Sequence, residues 1–385
     1  MTSPADVLIV GAGLAGSCSA ALLARQGLRV ILVDRSPTQS PIFKAEKIEP
    51  DQIELLVKFG LMEPLLPRTG RISEIWDAQD GRVLQVQQRE QFGILYQDMV
   101  NGVRATLPPA VQVKIDRVRS ITTSSDIQDV TLASGEECRA RLVVLACGTG
   151  GDLHTRMGMR KRMIQPEQSL AFGFDVARSD GSAFPFEAAT YFPDGCADRV
   201  AYLTLFRIRD VMRANLFVIW SVSEAGTRGF VRNSRRELAR LLPKLPRVIG
   251  EFEVSSEVEV GRVDLYQMEG HVQPGIVLLG DAYQSVCPTT GTGLSKLLTD
   301  VDVFCHLCAA EWFSTPGMAV EKIARFYENP RKMEVDRDSL HGAWWQRQLA
   351  INEDWQWRAR RVKRRWMLQA GGLADYLRLT RKLTA

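Results

Sequence analysis

Histidine is scarce in this chain. There are four, His154, His271, His306 and His341, and none stand at the short spacings that clamp a metal ion, so a metal centre is not expected. No Ser/His/Asp order supports a hydrolase. The seven cysteines (Cys18, Cys138, Cys147, Cys196, Cys287, Cys305, Cys308) are odd in number and scattered. That fits a reducing cytoplasm better than a disulfide framework. Cys305 and Cys308 have C-x-x-C spacing but no second ligand pair, so they read as small buried hydrophobes on a helix. No apolar run is long enough to span a bilayer. From Met1–Thr2–Ser3–Pro4 the chain goes almost straight into an apolar run, with no leader-like n- or h-region, so a cytoplasmic location is expected. Repeats and low-complexity segments are missing. Charge is nearly balanced, with 49 Lys and Arg against 45 Asp and Glu, a net +4.

What is present starts at Val7. The run Val7–Leu8–Ile9–Val10 predicts a buried parallel strand. Gly11, Gly13 and Gly16 follow in G-x-G-x-x-G spacing. Gly11 allows the tight turn, Gly13 lets a pyrophosphate approach the backbone, and Gly16 lets a helix pack on the strand. Leu14 and Ala15 open that helix, whose N-terminus offers N–H groups and a positive dipole end to phosphates. A second apolar strand, Val30–Val33, ends in Asp34–Arg35. The Asp34 carboxylate suits the two ribose hydroxyls of a dinucleotide and would repel a 2′-phosphate.

Further along, Glu49–Gly60 predicts a helix, with Pro50 in its first turn and Gly60 as its stop. Residues 71–88 predict a hairpin around Gln79–Asp80–Gly81. Tyr96–Leu107 is a second amphipathic helix. Residues 111–138 predict three short strands, and Leu142–Ala146 another apolar strand running into Cys147–Gly148. Runs at 169–177, 199–206 and 215–222 predict an antiparallel sheet lining a cavity, interrupted by a helical stretch near 224–250. A last buried strand, Gly275–Leu279, ends in Gly280–Asp281. Pro288 and Gly291–Thr292–Gly293 then lead into a helix, and the pattern stays helical to Ala385. The glycine-opened helix presents N–H groups and a positive dipole end, and Pro288 can stiffen the loop before it.

Three glycine-bearing strand ends in this order resemble the group A flavoprotein monooxygenases, the p-hydroxybenzoate hydroxylase-like family. The matching motifs are GAGLAG at 11–16 and GDAYQSVCPTTGTG at 280–293. The resemblance covers roughly residues 5–300. It implies an α/β fold with a Rossmann-type, glutathione-reductase-like FAD-binding domain, an inserted mixed or antiparallel substrate sheet and C-terminal helices. The expected boundaries are 1–70, 97–164 and 266–315 for the FAD-binding domain, 71–96 and 165–265 for the substrate domain, and 316–385 for the helical region. It implies FAD as cofactor, NADH or NADPH as electron donor, and a small-molecule substrate with O₂. By the same carry-over, Lys44 stands where the family usually has an arginine. Gln97 matches a polar residue near the ribityl chain or phosphate, Val118 offers backbone groups to the adenine, and Gly148 lies in the middle motif. That motif usually ends in Asp-Gly; here it is Cys147–Gly148, which bears on how NAD(P)H would be used. No side chain stands out as the catalytic acid or base. Two alternatives remain open: a flavin-dependent reductase of the geranylgeranyl-reductase-like group, and a non-catalytic flavoprotein that binds a partner.

Residues 341–385 carry ten Lys and Arg against three Asp and Glu, a net +7, interleaved with Trp344, Trp345, Trp355, Trp357 and Trp366. This mixture suits packing on the flavin domain or peripheral contact with a membrane. Nucleic acid is not expected as a partner.

Overall fold

A computed structural model describes residues 3–150 and 152–371. The first apolar run is β1 (Ala5–Val10), and its residues Val7, Leu8 and Ile9 are fully buried. It leads through the glycine turn into α1 (Leu14–Arg25) and then β2 (Val30–Asp34), which pairs with β1 in parallel. Next come β3 (Lys47–Ile48) and α2 (Pro50–Lys58), where Glu49 and Gln52 form a capping box. The hairpin β4 (Gly70–Gln79) and β5 (Arg82–Gly93) follows. Asp80 and Gly81 both take positive φ, as the tight primed turn requires. After α3 (Tyr96–Arg104) come β6 (Gln112–Ile115), β7 (Val118–Thr122), β8 (Gln128–Leu132) and β9 (Glu137–Leu145). The last of these is one continuous strand. The break expected between a strand near 138 and another from 142 does not occur, because residues 137–140 pair with β8 while 140–145 pair with β1.

The short α4 (Leu153–Arg156) precedes β10 (Arg160–Arg178), β11 (Ala188–Phe192), β12 (Val200–Ile208) and β13 (Val211–Val218). Three helices, α5 (Ala225–Arg232), α6 (Ser234–Leu241) and α7 (Pro246–Ile249), lie in the expected helical stretch, followed by β14 (Phe252–Val254), β15 (Glu259–Glu269) and β16 (Ile276–Leu278). The described chain closes with α8 (Gly293–Asp302), α9 (Ala309–Ser314), α10 (Val320–Tyr327), α11 (Pro330–Ile351) and α12 (Trp355–Gln369). The helical expectation for 372–385 lies outside the described residues.

Two sheets result. One has seven strands in the order β6-β2-β1-β9-β8-β7, with β16 on β9. Of its five parallel strands, β1, β9 and β16 end where the glycine motifs begin. The other has nine strands in the order β14-β10-β13-β12-β11-β4-β5-β3, with β15 on β10. Residues 160–163 and 266–269, expected in the nucleotide-binding unit, pair with each other as the ends of β10 and β15 in the second sheet. Lys47 and Ile48 also belong to that sheet. The reason is length: β10 begins at Arg160, well before the apolar run at 169–177, and reaches it through two bulges.

In the second sheet, strand alternation separates two faces. Ala214, Leu216 and Val218 of β13 join Phe172, Phe174 and the helical Phe230 and Leu238 in one core. Arg213, Asn215 and Phe217 point to the other face, where Glu46, Phe43 and Ala350 lie.

A buried charge cluster locks the later helices. Lys296 and Asp300 of α8 meet Lys332 and Asp336 of α11. Lys296 Nζ lies 3.0 Å from Asp300 and 3.1 Å from Asp336. Lys332 Nζ lies 2.7 Å from Asp300 and 3.0 Å from Asp336. Two cations and two anions cancel, which is what makes such burial tolerable. Asp300 also accepts from the Gly280 N–H at 2.9 Å, so the lock reaches the strand end. Cys305 and Cys308 lie in a π-helical turn, buried, and the described residues hold no metal-binding group.

Candidate cofactor and substrate site

The site grows from the C-terminal ends of β1, β9 and β16. Gly11 takes φ +100°, and a Cβ there would lie 2.6 Å from the Ala146 carbonyl oxygen of the neighbouring strand end. At Gly16 a Cβ would lie 1.9 Å from the Gly11 oxygen, so only glycine lets α1 start this close to β1. Gly13 differs: its nearest neighbour would be the Tyr96 hydroxyl at 3.7 Å. The space in front of it is open. Gly13 caps α1 with no side-chain bond to its first turn, where Leu14 and Ala15 lie. The Tyr96 hydroxyl meets the Leu14 backbone beside this open space, and the rest of the helix N-terminus fits a diphosphate.

Asp34 closes one side. Its Oδ2 accepts from the Ala12 N–H at 2.6 Å and its Oδ1 from the Ser36 N–H at 3.0 Å. Arg104, at the end of α3, donates to the Ala12 carbonyl at 2.7 Å and the Ser36 carbonyl at 3.1 Å, and lies 3.5 Å from Asp34. Sequence reasoning missed Arg104, and also Tyr96. The available signal was weak: both sit on the amphipathic helix that carries Gln97. Arg35 is exposed on the turn after Asp34. Val118 starts β7 just past Asp116, whose N–H donates to the Asp34 carbonyl at 2.8 Å. Gln97 is half-buried in the first turn of α3, with no side-chain bond to the other candidates among the described residues.

At the other end, Lys44 Nζ lies 3.6 Å from the Asp281 carboxylate and 3.9 Å from where a Gly148 Cβ would stand. It also sits 5.6 Å from the Tyr96 ring centre. Burial works against its charge, but Asp281 and then Tyr96 outweigh that and hold the ammonium above its usual range. Lys44, Asp281 and Gly148 thus converge although they come from three distant segments. Beside them, burial pushes the Cys147 thiol up to about 11, so it stays neutral at ordinary pH.

Pro288–Thr290 forms a single 3₁₀ turn, Gly291 takes φ +67° with nothing near its missing side chain, and Thr292 caps α8. Gln52 of α2 fixes this turn by donating to the Gly291 carbonyl at 3.3 Å. The Tyr202 hydroxyl donates to the Thr289 carbonyl at 2.9 Å, tying the turn to the second sheet. Around that bond lies an apolar cluster of Ala171, Ala201, Phe217, Ile219 and Ala350, with Phe43, Tyr202 and Ile351 packed on it.

Next to the cluster stands a charged group that the sequence did not reveal. Arg213 is buried and meets Glu46 at 3.0 Å, Asp175 at 3.2 Å and Glu259. Asn215 donates to Glu46 at 3.1 Å, while its own Oδ1 is buried without a partner among the described residues. Burial pushes the Glu46 carboxyl up, against the pull of Arg213. Phe43 lies over Arg213, 5.4 Å away, and a Cβ on Gly173 would meet its ring at 2.6 Å. A separate cavity of about 230 Å³ among Tyr191, Asp198, Arg240 and Leu242 opens by α6 and includes none of these residues.

A parallel sheet with a glycine-walled hollow and an acid at the second strand end defines a dinucleotide-binding protein, and the open cradle fits FAD. A family model described as "FAD binding domain" matches residues 4–311, and the chain belongs to that family. Its relatives include 3-demethoxyubiquinol 3-hydroxylase of Escherichia coli (strain K12), 23% identical over 354 residues, covering 85% of this chain and 86% of that protein. Another is 6-hydroxynicotinate 3-monooxygenase of Bordetella bronchiseptica, 23% identical over 391 residues, with 91% and 94% covered. In fold it is similar to p-nitrophenol 4-monooxygenase PnpA from Pseudomonas putida DLL-E4, with a TM-score of 0.77 at 18% identity over 100% of this chain and 97% of that one. The chain is an FAD-dependent oxidoreductase of the monooxygenase family.

Proposed function

We propose that this enzyme transfers one oxygen atom of O₂ to an uncharged, electron-rich aromatic or otherwise activated small molecule. The observation that carries this is the apolar cluster joined to the Pro288–Thr290 turn by the Tyr202–Thr289 bond. Arg213 faces the same region but is already matched by three carboxylates. It is therefore poorly placed to hold an anionic substrate, and a neutral one suits the site better.

Bound FAD supplies the redox chemistry and the activation of O₂. The chain's own residues bind and orient it. Gly11, Gly13, Leu14, Ala15 and Gly16 present backbone to the diphosphate, and Asp34 takes the ribose hydroxyls. Arg35 and Val118 border the adenine side. Lys44, Gln97 and Gly148 face the middle of the cofactor, and Asp281 meets the ribityl chain. Pro288 flanks the ring, while Gly291, Thr292 and Gly293 aim the α8 dipole at its polar edge, favouring negative charge there. The packed apolar side chains exclude water from the reacting region.

NADH or NADPH is the electron donor in this reading. Cys147 stands where the resembling family has an aspartate, so a separate reductase is the competing source. Anaerobic titration with each nicotinamide separates the two. The decisive test is turnover under ¹⁸O₂ with neutral phenols and the corresponding benzoates. Labelled product from the neutral set is expected, and unlabelled product overturns the proposal. The same proposal includes peripheral contact of the basic, Trp-rich C-terminal region with a membrane. No helix among the described residues is long and apolar enough to cross one.

A further inference from the structure

Helix α12 has apolar residues on two opposite sides. Its inner side carries Trp357, Arg364 and Leu368, all buried. Trp357 packs at 5.0 Å and 5.6 Å against the rings of Trp345 and Trp344, and Arg364 lies 4.5 Å over the Phe192 ring. That side is committed to the protein. Its outer side carries Trp355, Ala359, Val362 and Trp366. Their spacing of four, three and four residues puts them in one stripe, opposite the buried one. Trp355 is 76% exposed, Trp366 68% and Val362 55%. Packing among the described residues accounts for the inner tryptophan and leaves the outer two unexplained.

The charges on α12 are of one sign: six Arg and Lys and no Asp or Glu. Four of them are engaged within the protein. Arg360 lies 4.2 Å over Trp357, Arg361 donates to the Leu349 and Asn352 carbonyls, Arg365 pairs with Asp80 at 3.3 Å, and Arg364 is buried. Arg358 and Lys363 are exposed and have no bonded partner among the described residues. On the helical wheel they flank the outer stripe, one on each side.

Deepening the peripheral contact proposed above, we infer that the outer side of α12 lies on an anionic membrane surface. Trp355 and Trp366 sit at the headgroup level, and Arg358 and Lys363 meet the lipid phosphates. An indole with an apolar body and one polar N–H suits that interface, and flanking cations add attraction to anionic lipid. A second copy of the chain is a poorer occupant, because it would bring the same cations against these.

The test uses the full-length, FAD-loaded protein and vesicles of phosphatidylcholine, with and without phosphatidylglycerol. Wild type is expected to float with the anionic vesicles and to be released by salt. W355S/W366S is expected to bind about tenfold less. R358Q/K363Q is expected to lose its preference for anionic over neutral vesicles. Both variants should keep the flavin spectrum, which shows that the fold survives. Three outcomes overturn the inference: no flotation of wild type, equal flotation of W355S/W366S, or wild-type self-association that W355S/W366S abolishes without lipid binding. The isotope experiment needs no vesicles, so failure here leaves the monooxygenase proposal standing, and the reverse also holds.

Discussion

Replacing Gly13 by alanine separates cofactor binding from folding. Gly13 has φ −64° and ψ −172°, a conformation alanine adopts without strain. The added methyl would find its nearest protein atom at 3.7 Å, which is ordinary contact. The apo-protein should therefore hold its stability or gain about 0.4–1 kcal/mol from a stiffer unfolded chain. With FAD the methyl points into the space the diphosphate needs. Overpacking there costs about 1–3 kcal/mol, and N–H bonds to the charged phosphates, worth about 1.5–3 kcal/mol, lengthen. A total near 3 kcal/mol corresponds to about a 100-fold loss of affinity. Flavin-fluorescence titration measures that loss, and thermal unfolding of the apo-protein checks the fold. Gly16→Ala is the contrast, because its Cβ would stand 1.9 Å from the Gly11 oxygen and should destabilise the apo-protein itself. If Gly13→Ala binds FAD as wild type does, or melts as low as Gly16→Ala, the space before Gly13 is not where the diphosphate lies.

Lys332→Met leaves Asp300 and Asp336 sharing one lysine in a buried setting. It should cost about 3–5 kcal/mol in urea unfolding, and Lys332→Met with Asp336→Leu should recover part of that. Arg104→Met removes the bonds to the Ala12 and Ser36 carbonyls. Its expected effect is a flavin dissociation constant raised about 10- to 100-fold, read by equilibrium dialysis. His154 is buried, and burial first, then the Lys161 charge, lowers its pKa. The unfolded chain titrates near 6.5, so it takes up the proton first as pH falls. The stability that neutral His154 provides is present above about pH 6.5 and is lost progressively as pH falls below it. His154→Phe should flatten that slope in thermal melts at graded pH.

The nucleotide half was readable because its signals are local. The glycines, Asp34 and the two apolar strands lie within one short stretch, and each glycine's task follows from its neighbours along the chain. The Pro288 turn was readable for the same reason. Arg104 was not, since its partner Ala12 is 92 residues away and nothing in a helix's apolar pattern marks which terminal arginine turns inward. Glu46 and Arg213 are 167 residues apart, and they meet only because β13 alternates in a particular register beneath the loop at 43–46. The true start of β10 was hidden too, because its first residues are exposed and polar and carry no apolar alternation.

The lock between α8 and α11 sets an order of events during synthesis. Gly280, whose N–H is held by Asp300, follows β16, which pairs with the earlier strand β9, yet Asp300 is neutralised in part by Lys332. A nascent chain that has not yet emerged past α11 has the glycine turn but not the finished cradle. Fragments ending before residue 330 lack Lys332 and Asp336 and should therefore emerge colourless, as an absorption spectrum would show.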